Sequence, residues 1–236
     1  MKRPVGKHLT LIDHLDELRG RVVQFLCVYV VCCFFTYTLT ASLLPYIIRP
    51  VRMVVFNAPG EAFSAYMILT LLGGFIISLP FFLYQLWAFA WQALTDKERK
   101  YILLFGPLSF FFFIVGIAFA FFVVVPIALK FLLSFSSEFV VPMISIKSYI
   151  SFVGNFVLAF GIVFELPLVL VFLVKIGIAT PAFLRQYRRH AIMAILILSA
   201  ILTPPDVVSQ LFMAIPLVVL YELGVLFSVV AYGKKS

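Results

Sequence analysis

Charge is what this chain of 236 residues has least of: Asp, Glu, Lys and Arg together make up 12%. A soluble domain carries roughly 25%, so water cannot be the main solvent of the folded chain. A hydrophobic share of 64% and a mean hydropathy of +1.16 point the same way. Catalytic signatures are missing too. No G-x-S-x-G, H-E-x-x-H or phosphate-loop sequence occurs, and His8, His14 and His190 lack ligand spacing. Cys27, Cys32 and Cys33 share one apolar run without His or acidic neighbours, so they make no metal pattern. No enzymatic activity, metal or cofactor is therefore expected. Internal repeats of the kind many secondary transporters show are not found. A cleavable signal peptide is not expected either: basic residues 1–7 lead into a polar stretch, not a short apolar core.

Apolar runs, by contrast, are plentiful. A membrane helix needs about 20 apolar residues, and 22–44, the middle of 62–95, 101–129 and 148–174 all qualify. Residues 191–203 are too few to cross comfortably, and 207–232 carries Pro216 and Glu222. These last two read as short helices around the turn Thr203-Pro204-Pro205-Asp206, either crossing a thinned bilayer or forming a re-entrant hairpin. The expected fold is an all-α membrane protein of six transmembrane helices, the last two short, in one polytopic domain over 1–236.

Basic residues set the orientation. Lys2, Arg3, Lys7, Arg19, Arg21, Lys97, Arg99, Lys100, Lys175, Arg185, Arg188, Arg189, Lys234 and Lys235 fall on one side; Arg49, Arg52, Lys130 and Lys147 fall on the other. Both termini are thus expected in the cytoplasm, with 1–21 an amphipathic segment there and 233–236 a short tail. The net charge of +8 reads as topology and not as a nucleic-acid surface, because the basic residues are not interleaved with exposed aromatics.

Two acidic sites, around Glu17 and Glu98, lie on that basic side. Thr10 and Asp13 have the form of a helix start. After them Leu11, Leu15, Leu18 and Val22 recur at helical spacing and leave His14, Asp16, Glu17 and Arg21 on the other face. Glu17 can simply pair with Arg21 four residues on. In WAFAWQALTDKERKY (87–101), Glu98 stands three residues after Thr95, where a capping box would use it. Trp87, Phe89 and Trp91 sit where an interfacial aromatic belt is expected. The same residues could equally hold a basic, partly apolar peptide at the membrane edge, through an Arg–carboxylate pair. Spacing leaves both readings open.

The third acid is inside the membrane. LAFGIVFELPLVLVFLV (158–174) buries Glu165 in a run otherwise fit for hydrocarbon. An unpaired charge there costs several kcal/mol. Glu165 shares a helix face with Ser151, Gly154, Asn155 and Gly161, and Pro167 cannot donate to the Val163 carbonyl, which favours a kink beside the acid. The face implies a groove or a partner helix. Asp206 can cap the last helix, and Gln210, Ala214, Tyr221 and Gly224 share one face of it. Glu222 is expected to pair with the Arg188–Arg189 region.

HLDELRGR (14–21), LYQLWAFAWQALTDKERK (83–100), SFVGNFVLAFGIVFELP (151–167) and LTPPDVVSQLFMAIPLVVLYELGVLFS (202–228) together resemble the TatC family, the multi-span receptor subunit of the twin-arginine protein translocase. The likeness covers essentially the whole chain. It implies a glove-like, concave six-helix bundle that binds paired-arginine signal peptides on folded cargo. It further implies TatA- and TatB-type single-span partners, oligomeric assembly with them, the proton-motive force as energy source, and a bacterial inner membrane. By motif, Glu17, Arg19, Phe89 and Glu98 match the signal-peptide patch. Glu165, Asp206 and Gln210 match intramembrane and partner-contact positions, with Gln210 the expected polar contact for a partner helix. Pro50 matches a proline of the first external loop, and Pro167 is the structural proline beside Glu165. One position departs from the pattern: Gln92 stands where the loop usually has proline. A proton-coupled secondary transporter titrating Glu165 is the alternative.

Overall fold

The computed structural model describes residues 11–51, 54–135, 143–203 and 207–233. The positions assigned above to His8, Thr10, Arg52, the Pro204-Pro205-Asp206 turn and the C-terminal lysines lie outside them, as do the side chains of Asp13 and His14. Helices are named in chain order: α1 (Leu11–Ile48), α2 (Pro59–Ala93), α3 (Asp96–Phe119), α4 (Val125–Leu133), α5 (Ile146–Val163), α6 (Leu166–Lys175), α7 (Pro181–Gln186), α8 (Arg188–Leu202) and α9 (Val207–Gly233). The amphipathic stretch up to Arg21 runs without interruption into the first apolar run as α1. One π-helical turn, Ala120–Val124, joins α3 to α4, just before Pro126.

Five helical stretches among the described residues are long and apolar enough to cross a membrane: Asp16–Val51, Pro59–Gln92, Glu98–Leu133, Ile146–Lys175 and Val207–Gly233. Helix α8 has 15 residues, roughly 22 Å at 1.5 Å each, against a hydrocarbon core of about 30 Å. The last helix corrects the expectation of two short segments: α9 runs 27 residues through Pro216, and Glu222 does not interrupt it because Arg188 pairs with it at 2.8 Å.

The bundle is arranged around α5. In the apolar window of Ile146–Lys175, 61% of residues are buried, against 6% for Asp16–Val51, so α5 is central and α1 peripheral. Lipid is as apolar as Leu, so close backbone approach and dispersion must hold such helices together. Glycines supply the approach. A Cβ on Gly73 would lie 2.4 Å from Thr36 Cγ2 and one on Gly74 2.5 Å from Cys33 Sγ, both on α1. Beside them Thr40 and Thr70 share a buried hydroxyl hydrogen bond of 3.0 Å. Gly154 and Gly161, read from sequence as part of a polar face, meet Leu72 of α2 and Phe113 of α3. Their partner helices are within the chain itself. Phe156, Phe160, Met213 and Leu217 fill the centre.

Opposite ends of the bundle are tied differently. At one end Val55 exchanges backbone hydrogen bonds with Ile144 (3.0 Å) and Ile146 (2.8 Å), and the Glu61 carboxylate accepts from the Asn57 amide and the Ser145 hydroxyl, each at 2.9 Å. Tyr149 adds a hydroxyl bond to the Ile47 carbonyl. At the other end Lys175 donates to Ala231 at 2.6 Å, and the N-terminal part of α1 meets the C-terminal part of α2. The basic residues Arg19, Arg21, Arg99, Arg188 and Arg189 belong to this second end.

Gly116 gives a direct test of the packing. A Cβ there would sit 2.5 Å from the Phe160 carbonyl oxygen, an atom that cannot rotate away. Gly116→Ala should therefore lose about 1–3 kcal/mol of stability, read as a lower melting temperature in detergent. Gly20→Ala, where nothing lies within 4 Å, should raise it, by up to about 1 kcal/mol of helix propensity.

Candidate functional site

The first polar cluster forms where α1 passes the end of α2. Glu17 and Arg21 are one helical turn apart, and their pair forms as spacing allows: Arg21 donates from Nη2 at 2.7 Å and from Nε at 2.9 Å, both to Glu17 Oε1. The pair does not stay on one helix. Arg21 Nη1 reaches Gln85 Oε1 at 2.9 Å, and Nη2 reaches the Ala88 carbonyl at 3.2 Å. Gln85 in turn donates to Gln24 at 2.8 Å, and Gln92 Nε2 donates to Glu17 Oε1. Helix α2 continues through Ala93, so the position where proline is usual is a helical glutamine reaching back to α1. Three donors crowd one oxygen of Glu17. Its other oxygen, Oε2, is buried without a hydrogen-bond partner.

Glu98 has the role its spacing allows: its carboxylate accepts from the Thr95 amide at 2.9 Å and the Thr95 hydroxyl at 2.6 Å, starting α3. It remains part-exposed at the same end of the bundle as Glu17. Phe89 is half-buried and lines a small hollow of about 80 Å³ with Leu18, Arg21 and Phe25. Arg19 is exposed. The structure thus brings Glu17, Phe89 and Glu98 to one rim, with Arg99 stacked on Trp91 at 5.5 Å.

The second site is the break between α5 and α6. Val163 is the last residue of α5 and Leu166 the first of α6, so Glu165 stands in the break, as Pro167 led us to expect. Ser109 of α3 donates to Glu165 Oε2 at 2.5 Å, while Oε1 is buried without a partner. Pro167 is buried against Gly224 of α9, whose added Cβ would meet the Pro167 Cα at 2.9 Å. Asn155, on the same face by sequence, reaches the Leu202 carbonyl of α8 only at 3.5 Å.

Gln210 spends its amide within the chain, donating to the Leu196 carbonyl of α8 at 3.1 Å. Asp206 lies outside the described residues. Pro50 is exposed in a 3₁₀ turn, Arg49–Val51. Gln24, Gln85 and Ser109 went unrecognised in the sequence. The glutamines carried a usable signal, being amides inside otherwise apolar runs; Ser109 carried none, because a lone serine in a membrane helix ordinarily bonds its own backbone. Glu61 was likewise missed.

Fold and sites together define a multi-pass integral membrane protein with a polar rim and an intramembrane carboxyl that Ser109 meets on one oxygen. The particular family follows from comparison. Residues 13–216 match the family model described as Sec-independent protein translocase protein (TatC). The Sec-independent protein translocase protein TatC of Desulforapulum autotrophicum is 38% identical over 231 residues, covering 95% of this chain and 85% of the relative. That of Carboxydothermus hydrogenoformans is 40% identical over 224 residues, covering 93% and 92%. A crystal structure of the twin-arginine translocase receptor TatC superposes with a TM-score of 0.86 at 34% identity, covering 92% of this chain and 99% of that one. The chain belongs to the TatC family.

The Glu165 contact predicts a measurable coupling. Ser109→Ala removes the donor to a carboxyl whose other oxygen has none among the described residues, which should cost about 1–3 kcal/mol. In the Ser109→Ala background, Glu165→Gln should recover part of that loss, because an amide is cheaper to bury than a carboxylate. Melting temperatures of the two single variants and the double variant in detergent test this.

Proposed function

We propose that this chain is the receptor subunit of a twin-arginine translocase, holding the paired arginines of a signal peptide at the rim formed by Glu17, Phe89 and Glu98. The observation that carries the reading is the Glu17 carboxylate. One oxygen is saturated by Arg21 and Gln92, and the other is buried, without a partner and at the rim. A guanidinium is planar and presents paired N–H groups, so it suits a fixed carboxylate better than an ammonium does. Arg21 and Gln92 keep Glu17 from rotating away, so the acceptor is oriented before the peptide arrives. Glu98 is held in the same sense by Thr95. Arg19, exposed one turn from this patch, would steer and space the peptide.

The same reading places both termini and the basic rim in the cytoplasm of a bacterial inner membrane, in keeping with the positive-inside rule. Six spans follow if α8 crosses a locally thin bilayer. Gln210 and the Asp206 turn would then meet a TatA- or TatB-type helix on the far side, and Gln210 would exchange its bond to Leu196 for one to the partner. Glu165 would offer its unpartnered oxygen to a polar group of a partner helix or signal peptide. Oligomeric assembly with those subunits, and transport of folded cargo driven by the proton-motive force, complete the proposal.

Site-specific photocrosslinking of the membrane-embedded chain to a signal peptide tests the rim. Crosslinks should form with an Arg-Arg peptide, fall at least tenfold with Lys-Lys, and fade in Glu17→Ala. Glu98→Gln is the sharper variant: glutamine also closes a capping box, so α3 should start normally while the crosslink is lost. Arginine-independent crosslinking in all chains would reduce Glu17 to a helix pair and Glu98 to a cap.

A further inference from the structure

One cavity bordering this rim is not used by the recognition scheme. It lies between α2 and α3, has a volume of about 700 Å³, and reaches from Trp91 and Gln92 at the polar end to Pro80, Pro107 and Phe110 at the apolar end. Trp91 and Pro80 are eleven residues apart on one helix, roughly 17 Å, close to one leaflet's half of a ~30 Å hydrocarbon core. Tyr84 and Leu103 on its walls are 65% and 71% exposed. The cavity therefore opens sideways, toward lipid.

A second observation points to an occupant with a hydrogen-bond acceptor. Trp87 lines the cavity and is only 8% exposed, yet its Nε1 has no hydrogen-bond partner. Buried indole N–H groups usually find one. Trp87 sits about 6 Å, one helical turn, below Trp91. Above it the rim is cationic on this side: Arg99 stacks on Trp91 and Lys100 on Tyr101. Arg21 also borders the cavity, although its charge is matched by Glu17; Glu98 is the other nearby acid. Apolar floor, single donor at ester depth and cations at the rim follow the order of groups along a phospholipid.

We propose that the α2–α3 cavity is a binding site for one phospholipid, with an acyl chain against Leu83, Ile102 and Phe110, an ester or phosphate oxygen accepting from Trp87 Nε1, and the phosphate beside Arg99. A peptide helix is the other candidate occupant. Its backbone carbonyls are already paired within the helix, whereas a phospholipid carries ester and phosphate oxygens free to accept from Trp87. Pro80 and Pro107 explain why the gap exists, since proline inside a helix bends it and here one stands in each wall. Gly106 keeps it open: a Cβ there would meet nothing closer than Trp87 Cδ1 at 3.9 Å. The inference needs only the membrane-embedded fold and does not rest on signal recognition.

Trp87 and Trp91 are the chain's two tryptophans, so fluorescence reports on this cavity alone. The full chain, stripped of lipid in detergent, would be titrated with a phospholipid brominated on its acyl chain, which quenches tryptophan on contact. Quenching should saturate at one lipid per chain. Trp87→Phe keeps the ring, removes the donor and leaves Trp91 as reporter; its apparent dissociation constant should rise roughly tenfold. Gly106→Phe, which fills the cavity, should abolish the saturable phase. Native mass spectrometry should find one retained phospholipid on the native chain and none on Gly106→Phe, with melting temperatures confirming that both variants fold. Non-saturable quenching in the native chain, or saturable quenching unchanged in both variants, would overturn the site. So would a signal peptide carrying a quencher in its apolar core that reaches the tryptophans of the native chain while the phospholipid shows no saturable phase: the cavity would then belong to the peptide.

Discussion

The structure depends on one interruption, the helix break that places Glu165 between α5 and α6. A continuous helix would carry that carboxyl group through hydrocarbon with its own backbone already satisfied and nothing to hold its side chain. The break instead turns it onto Ser109 of α3. It also presents Pro167 to Gly224 of α9, and the adjoining Phe160–Phe164 turn to Gly116 of α3. Helices α3 and α9 converge on the break because each has a small residue or a hydroxyl at the level where the chain bends. In lipid, where burial of apolar surface gives little drive for association, such close approaches and a few hydrogen bonds set which helices touch.

A different logic governs the rim. There the chain ties a carboxylate down with its own cation and amides, and the Glu17–Arg21 pair is anchored to α2 through Gln85, Ala88 and Gln92. An ordinary exposed i,i+4 pair contributes a few tenths of a kcal/mol. This one also fixes the direction in which the carboxylate can accept. Gln92 supplies a side-chain donor to Glu17 that a proline in its place would lack. Capping does the same for Glu98. A group that starts a helix is held in place by it, so the structural role of Glu98 is compatible with the recognition role proposed for it.

The two prolines that bend α2 and α3 link the rim to the membrane interior. They part the helices below Trp91, and the space they open is lined by Trp87, whose indole N–H has no hydrogen-bond partner among the described residues. Rim and cavity share Arg21 and Gln92 in their walls. Whatever occupies the cavity therefore lies against the residues that orient Glu17, a contiguity that makes the lipid environment a direct neighbour of the recognition surface.

Class, span positions and the basic face were legible in the sequence, because they depend on composition and on spacing along one helix. Hydrocarbon demands apolar runs of a given length, and that demand is local. So were the Glu17–Arg21 pair, the Thr95–Glu98 cap, the Glu222–Arg188 pair and the interruption near Pro167, each set by neighbours a turn apart or by a charge too costly to leave alone. The length of α9 was not: Pro216 read as a limit, yet the helix runs 27 residues through it, packed on α6 and α8. The same holds for Ser109 beneath Glu165, for Gln85 and Gln92 around Glu17, and for the glycines that proved to be seats for Leu72 and Phe113. Periodicity places a residue on a face of its own helix. Which face of another helix meets it depends on how bends and small residues let backbones approach, and that was decided by the tertiary structure alone.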